Sequence, residues 1–166
     1  MARPLCEKNR MTLRRATMAD VGMLWEWRND EETRQWSRSQ ERVPWETHVK
    51  WLTRRLEQTN YPLWVAERTL TFGAWCSKHE SVTKVIPVGV GRIDPHGEEL
   101  EVSVTIAPEW RGNGFGTKLV QALVDTVPEG QRGRLIAQVK LGNKASVLAL
   151  ERAGFLVTMT MGGLGR

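Results

Sequence analysis

A strand pattern that runs straight into a glycine-rich loop and a helix constrains this chain more than any other feature. Four apolar residues alternate with polar ones, the period of a strand with one buried face: Leu100, Val102, Val104 and Ile106. After four more residues a glycine-rich loop begins, reading Arg111-Gly112-Asn113-Gly114-Phe115-Gly116. Apolar residues then recur every four positions: Phe115, Leu119, Leu123 and Val127. This spacing predicts a helix that starts at the loop and ends at Pro128.

The chemistry of the loop favours an anionic ligand. Three alternating glycines let a ligand approach the backbone closely, and the first N–H groups of the helix are unpaired and lie at its positive end. A pyrophosphate fits such a place, and Arg111 would add a fixed charge. Two rival phosphate motifs fail on spacing: Thr117 stands where a dinucleotide fingerprint needs glycine, and Lys118-Leu119 breaks a P-loop. A glycine turn without a ligand is the remaining alternative.

The rest of the chain reads as alternating strands and helices in one domain, residues 1–166. Further strands are predicted at residues 11–16, 63–68, 85–93 and 135–139, and helices after a cap at residues 17–20, at 45–58 and at 143–153. Gly154 closes the last helix. Residues 1–10 and 160–166 are expected to be frayed.

Composition excludes several classes of protein. The longest apolar stretches are too short for a membrane span and no charged-then-apolar leader opens the chain, so a soluble, cytoplasmic protein without membrane association is expected. Two cysteines, Cys6 and Cys76, make no disulfide framework. Cys76 and His79 have ligand-like spacing but no second pair, and no metal is predicted. A net charge of +5 favours an anionic partner.

Two segments together resemble the acetyl-CoA signature of the GNAT superfamily of N-acetyltransferases. The first is the Arg-x-x-Gly-x-Gly loop after the alternating strand. The second begins Asn143-Lys144-Ala145-Ser146 and ends Glu151-Arg152-Ala153-Gly154-Phe155. The resemblance implies an α/β (α+β) fold: a central mixed, mostly antiparallel sheet of six to seven strands with about four flanking helices, splayed between the fourth and fifth strands. It also implies transfer of an acetyl group from acetyl-CoA to a primary amine.

The first third of the chain resembles one branch of this superfamily. The residues that carry this likeness are Leu13-Arg14, Asp20, Trp27-Arg28-Asn29-Asp30, Glu32, Arg34, Trp45-Glu46, His48 and Trp51. That branch contains acetyltransferases of nucleotide-linked aminosugars, of the pseudaminic-acid pathway type. Ribosomal-protein acetyltransferases have similar openings.

The resemblance also implies site residues. Those expected to bind the cofactor are Thr105, Ile106, Ala107, Arg111, Gly112, Asn113, Gly114, Phe115, Gly116, Thr117, Asn143 and Ser146. A backbone N–H near Ile106 would polarise the thioester carbonyl. Glu101 is the first candidate for the general base, ahead of Glu99 and His48, with a salt-bridged strand residue as the alternative interpretation of Glu101. The candidates for the acceptor site are Arg28, Asn29, Arg34 and His48.

Two groups familiar in the superfamily are absent. Leu150 occupies the place of the tyrosine that protonates the departing thiolate, and Gln138 that of a fifth-strand glutamate. A small-molecule amine, above all a nucleotide-linked aminosugar, is the expected acceptor. The alternatives are a protein N-terminus or an aminoacyl-tRNA, for which the basic surface would bind RNA, and a domain that binds acyl-CoA without catalysis. A monomer or homodimer is expected.

Overall fold

The computed structural model describes residues 11–72 and 82–158, which contain a five-stranded sheet and five α-helices. Cys6, Cys76, His79 and the segments predicted to fray, 1–10 and 160–166, lie outside these residues. The strands are β1 (Met11–Arg15), β2 (Trp64–Phe72), β3 (Val82–His96), β4 (Glu99–Ile106) and β5 (Leu135–Ile136). The helices are α1 (Val21–Asn29), α2 (Glu31–Trp36), α3 (Trp45–Leu56), α4 (Phe115–Asp125) and α5 (Lys144–Arg152). Within the described ranges, no helix is long and apolar enough to cross a membrane.

The sheet has the strand order β1-β2-β3-β4-β5 and is antiparallel except for its last pair. β4 and β5 run parallel and pair only at Leu100 with Leu135 and at Glu101 with Ile136. Beyond Glu101 the two chains diverge, while β4 stays paired with β3 as far as Ile106. The mixed, mostly antiparallel sheet and the splay between its fourth and fifth strands are therefore as predicted.

One face of the sheet is covered by α4. Phe115, Leu119 and Leu123 of this helix are buried against Val102 and Ile93. The helix approaches closely because β3 has a glycine beneath it: a Cβ on Gly91 would stand 2.6 Å from a methyl carbon of Leu123. The four-residue apolar spacing of α4 thus becomes the core contact that fixes the glycine loop on β4.

The opposite face is covered by α1 and α3. Leu24 and Trp27 of α1 and Leu52 of α3 are buried with Val65 of β2. Val65 belongs to this cluster and Ala66 to the one under α4, because successive strand residues point to opposite faces.

Several predicted boundaries need correction. The predicted strand 135–139 is a two-residue strand, because residues 137–139 leave β4 and gain no ladder partner among the described residues. β2 and β3 extend beyond their predicted ends, and α4 stops at Asp125 although Val127 is buried. α2 was not predicted; Asp30 caps it by accepting a hydrogen bond from the Thr33 N–H. Five strands and five helices replace the six to seven strands and about four helices expected.

The predicted helix cap at residues 17–20 is present and contains a buried ion pair. Asp20 is 7% exposed, accepts from the Thr17 N–H at 2.8 Å, and binds both terminal nitrogens of Arg14 at 2.7 and 2.8 Å. These hydrogen bonds from Arg14 lower the pKa of Asp20, against the opposing effect of burial. The pair joins the end of β1 to the entry into α1.

We expect Asp20→Asn to lower the free energy of unfolding at neutral pH by about 2 kcal/mol, because it leaves Arg14 without its buried charged partner. The pKa of Asp20 is lower in the folded than in the unfolded chain, so its contribution is complete above about pH 4 and is lost as the pH falls further. Urea denaturation between pH 7 and pH 2 should show the two proteins converging in acid. Asp125→Asn, a change at a 74% exposed side chain, is the control; equal losses in both variants would contradict this account.

Candidate active site

The splay leaves part of the edge of β4 open. The Ala107 N–H donates to the Val88 carbonyl at 3.0 Å. In this register the odd-numbered residues of β4, such as 103 and 105, are therefore the ones whose backbone groups bond to β3. Backbone groups alternate in direction along an antiparallel ladder, so those of Val104 and Ile106 point away from β3. β5 has no residue opposite them among the described residues. A ligand lying in the splay can therefore take backbone hydrogen bonds from this edge.

The glycine loop adjoins this edge and has the geometry of a phosphate cradle. Gly112 and Gly114 have left-handed backbones, with φ of 75° and 77°. A Cβ at either position would meet no atom within 4 Å, so the space beside both is open. Gly114 caps α4, whose first N–H groups face the loop. This open, left-handed backbone leaves room for a pyrophosphate, and the cofactor site at the loop stays a prediction.

Arg111, predicted to contact the cofactor, forms an ion-pair network with the start of α2. Its guanidinium donates to Asp30 at 2.6 Å, to Glu32 at 2.8 Å and to the Thr33 hydroxyl at 2.7 Å. The side chain thus ties the glycine loop to the start of α2, and carboxylates occupy the donors expected to face a phosphate. The Arg111 side chain is 24% exposed, so these ion pairs are only partly buried.

The other predicted cofactor residues divide into backbone and packing roles. Phe115 is buried against Trp110, with ring centres 5.8 Å apart, so its side chain belongs to the core. A Cβ on Gly116 would touch that of Ala149 at 3.4 Å, which sets the approach of α4 to α5. Asn143 caps α5 by accepting a hydrogen bond from the Ser146 N–H at 3.1 Å. Asn113 is exposed and bonds the carbonyls of its own loop, and Thr117 is half-buried in the first turn of α4.

Glu101 lies on the sheet face under α1 and α3, opposite Asp94 of β3. Its carboxylate accepts from the Arg38 Nη2 at 2.6 and 2.8 Å, and Arg38 also donates to the Gln138 side chain at 3.0 Å. His96 Nδ1 is 3.7 Å away. Arg38 thus bridges β4 and the chain beyond β5 across the splay. Glu101 is both a salt-bridged strand residue and a carboxylate at the mouth of the opening.

Glu99 and His48, the other candidate bases, occupy different surroundings. Glu99 is exposed at the start of β4 and borders a cleft of about 480 Å³ that Tyr61 and Arg134 also line. His48 is 3% exposed on α3, its ring centre 5.5 Å from that of Trp51. Burial lowers the pKa of His48, and nearby Arg28 acts in the same direction. The neutral imidazole is therefore the form present at neutral pH.

The four predicted acceptor residues form two pairs: Asn29 and Arg34 bind backbone atoms, whereas Arg28 and His48 each keep a buried nitrogen that has no hydrogen-bond partner among the described residues. Asn29 exchanges two hydrogen bonds with the Val43 backbone at 2.7 and 3.0 Å, and Arg34 donates to the carbonyls of Asn29 and Gln40. Both side chains hold the segment after α2 in place, and their predicted role at the acceptor stays a prediction. Among the described residues, Arg28 bonds the Ser39 carbonyl at 3.1 Å, and its buried Nη1 has no hydrogen-bond partner there. Burial lowers the pKa of Arg28, and Arg34 and Arg92 add to this effect.

Sequence reasoning missed Arg38 and the polar end of β3. Arg92 lies over the Trp51 ring at 5.7 Å and donates to Asp94 at 2.6 Å; Arg55 of α3 reaches the same carboxylate at 2.5 Å. The sequence did contain a signal for the charged end of β3. Arg92 and Asp94 alternate with Gly91 and Ile93, which places both charges on the sheet face of Glu101. No local pattern indicated Arg38, which reaches the site from a loop 63 residues away in sequence.

Comparison with known proteins agrees with this geometry. The family model described as the acetyltransferase (GNAT) domain matches residues 10–156. The L-amino acid N-acyltransferase MnaT of Escherichia coli strain K12 is 28% identical over 122 residues, 72% of this chain and 71% of the relative.

Two solved structures show the same fold. The structure of yncA from Salmonella typhimurium with its cofactor acetyl-CoA has a TM-score of 0.65 at 24% identity, covering 95% of this chain and 88% of that one. The ribosomal-protein-alanine N-acetyltransferase from Brucella melitensis has a TM-score of 0.61 at 25% identity, covering 86% and 83%.

Proposed function

Because this chain belongs to the GNAT acetyltransferase family, we propose that it transfers an acetyl group from acetyl-CoA directly to the primary amine of a small anionic molecule. The observation that carries this proposal is the open edge of β4 at Val104 and Ile106, beside the left-handed glycines of the loop. The edge would hold the pantetheine and thioester, and Gly112 to Thr117 the pyrophosphate. Asn143 and Ser146 stay candidates for further cofactor contacts beside their capping bond.

The residues then support each part of the reaction. The amine nitrogen attacks the thioester carbonyl carbon, a C–N bond forms, and the C–S bond breaks. A backbone N–H at Ile106 donates to the carbonyl oxygen as negative charge develops there. Glu101 accepts the proton of the ammonium. The sulfur leaves as a thiolate that solvent protonates, since Leu150 carries no acid.

The proton must travel to Glu101 through water. Glu101 precedes Val104 by three residues and Ile106 by five, which is about 10 and 17 Å along a strand. Arg38 occupies both carboxylate oxygens, so an incoming ammonium or water competes with this exposed guanidinium. An ion pair of this kind is worth about 1 kcal/mol or less and is readily displaced.

The acceptor is proposed to be small and anionic because the sheet face beneath α1 and α3, where the predicted acceptor residues lie, is rich in cations. Arg28 retains an unpaired donor there, and Arg92 is stacked on a half-exposed Trp51. A nucleotide-linked aminosugar, the acceptor expected from the sequence, meets this requirement. An amino acid meets it too, and the Escherichia coli relative is named for that class. With Asn29 and Arg34 bound to backbone, fewer side chains are free to bind a diphosphate than the sequence suggested.

A thiol-release assay with acetyl-CoA tests this proposal across four acceptor panels: L-amino acids, nucleotide-linked aminosugars, basic N-terminal peptides and charged tRNA. We expect turnover with one of the first two. Turnover confined to peptides or tRNA would contradict the small-molecule proposal and favour the acceptor class for which the Brucella melitensis relative is named.

We expect Arg111→Ala to raise the acetyl-CoA Kd by about tenfold, as for loss of one charge-assisted hydrogen bond, because the guanidinium would exchange Glu32 for phosphate when the ligand binds. Isothermal titration calorimetry gives the value, and Arg152→Ala, at an exposed residue, is the control. An unchanged Kd would mean that Arg111 serves only to join the loop to α2.

A further inference from the structure

Two guanidinium groups share one carboxylate on the face of the sheet beneath α1 and α3, and a third lies near them. Asp94 binds Arg55 at 2.5 Å and Arg92 at 2.6 Å. Burial lowers the pKa of Arg28 of α1, repulsion by the nearby Arg92 charge adds to this effect, and Arg28 has no ion pair among the described residues. These four side chains carry a net charge of +2, three positive charges and one negative. Excess charge in a half-buried place is costly, which makes it a place for an anion.

The same cluster contains unused hydrogen-bond donors and acceptors. Arg28 Nη1, His48 Nε2 and the Nε and Nη2 of Arg55 are buried and have no hydrogen-bond partner within the described residues. His48 and Arg55 are only 3% and 8% exposed, so solvent does not readily satisfy them. Buried polar groups in native proteins are nearly always paired, so these groups are available to hydrogen-bond a ligand. Trp51, 38% exposed between Arg92 and His48, leaves the cluster accessible.

The register of the sheet places Arg92, along the strand direction, between the candidate base and the N–H proposed to polarise the thioester. Arg92 lies opposite Ser103, two residues along β4 from Glu101 and three before Ile106. Its side chain shares the sheet face of residues 101, 103 and 105. An anion held by Arg92 would then lie on the face that joins Glu101 to the thioester carbonyl at Ile106.

We propose that Arg92 and Arg28 bind a carboxylate that the acceptor carries next to its amine, so that the acceptors are α-amino acids. This inference rests on the proposed function and names its substrate class. An α-amino acid has one negative charge, on a carboxylate a short distance from its amine, which suits a guanidinium near the reacting centre. A guanidinium also binds a carboxylate with two parallel hydrogen bonds, and the Trp51 ring keeps that of Arg92 in position. In a nucleotide-linked sugar the diphosphate lies much farther from the amine.

The test compares L-amino acids with their carboxamides, which keep the amine and lose the negative charge. We expect the wild-type kcat/KM to favour the acids by about tenfold or more, as for loss of a charge-assisted pair. In Arg92→Gln and in Arg28→Gln the preference should fall towards unity through a higher KM for the acids, with the acetyl-CoA Kd unchanged. Arg92→Lys and Arg28→Lys should retain part of it.

Arg15→Gln is the matched control. Arg15 lies over the Trp64 ring at 6.0 Å, much as Arg92 lies over Trp51, but it is on the edge strand β1, two strands away from Arg92. It should keep the wild-type preference. Thermal melting shows which variants are unfolded. The comparison of L-amino acids with their carboxamides in the wild-type protein does not depend on those variants. Equal turnover of acids and amides would overturn the carboxylate site while leaving acetyl transfer to small amines intact. Turnover of nucleotide-linked aminosugars but not of amino acids would also overturn it and assign the cluster to phosphate. Release of no CoA with any small amine would contradict the proposed function itself.

Discussion

Gly114→Val is expected to abolish measurable acetyl-CoA binding while leaving a folded domain. Gly114 has φ of 77°, a backbone that a β-branched residue avoids at a cost of about 1–2 kcal/mol or more. Relieving that strain would rotate the N–H groups that open α4. The new side chain would also stand in the open space beside the loop, where a Cβ now meets nothing within 4 Å. Calorimetric titration with acetyl-CoA measures the loss.

Gly97→Val separates loss of the site from loss of stability. Gly97 also has a left-handed backbone, with φ of 62° and nothing within 4 Å of a Cβ, but it lies in the turn between β3 and β4. Both variants should lose similar stability in urea, and only Gly114→Val should lose acetyl-CoA. If Gly114→Val bound acetyl-CoA with wild-type affinity, the loop would not be the pyrophosphate site.

The parts of the fold that the sequence predicted are those set by local periodicity. The alternation in β4 and the four-residue spacing of α4 each bury one face, and no distant residue changes which face that is. The left-handed backbones of Gly112 and Gly114 were not predicted, although glycine adopts them more readily than other residues do. The capping of α5 by Asn143 is also a local interaction.

The contacts that were not predicted concern side chains whose partners are distant in sequence. Arg111 binds Asp30, 81 residues away, and its predicted phosphate contact stays a prediction. Arg38 reaches Glu101 across 63 residues. A charged side chain can pair wherever the fold brings an opposite charge, and spacing along the chain does not reveal this. β5 was predicted too long for a related reason: the apolar pattern of residues 135–139 does not show where a neighbouring strand diverges.

Glu101→Gln is expected to lower kcat by about a hundredfold or more and to leave the acetyl-CoA Kd nearly unchanged. Glutamine keeps the size of the side chain and can still accept a hydrogen bond from Arg38, but it cannot take a proton from the acceptor ammonium. The loss should shrink at high pH, where solvent has already deprotonated the amine. Steady-state rates between pH 6 and pH 10, with the preferred acceptor of the four panels, measure this effect.

Arg38→Ala distinguishes a base from a structural ion pair. If the carboxylate matters because it holds Arg38 across the splay, removing Arg38 should reduce kcat as much as Glu101→Gln does. If Glu101 accepts the proton, Arg38→Ala should retain most of the activity, since both carboxylate oxygens become available to water and amine. Glu99→Gln, at the exposed start of the same strand, should be close to wild type. Wild-type turnover in Glu101→Gln would transfer the role to Glu99, His48 or solvent, and His48 is suited to it because burial lowers its pKa and keeps its imidazole neutral.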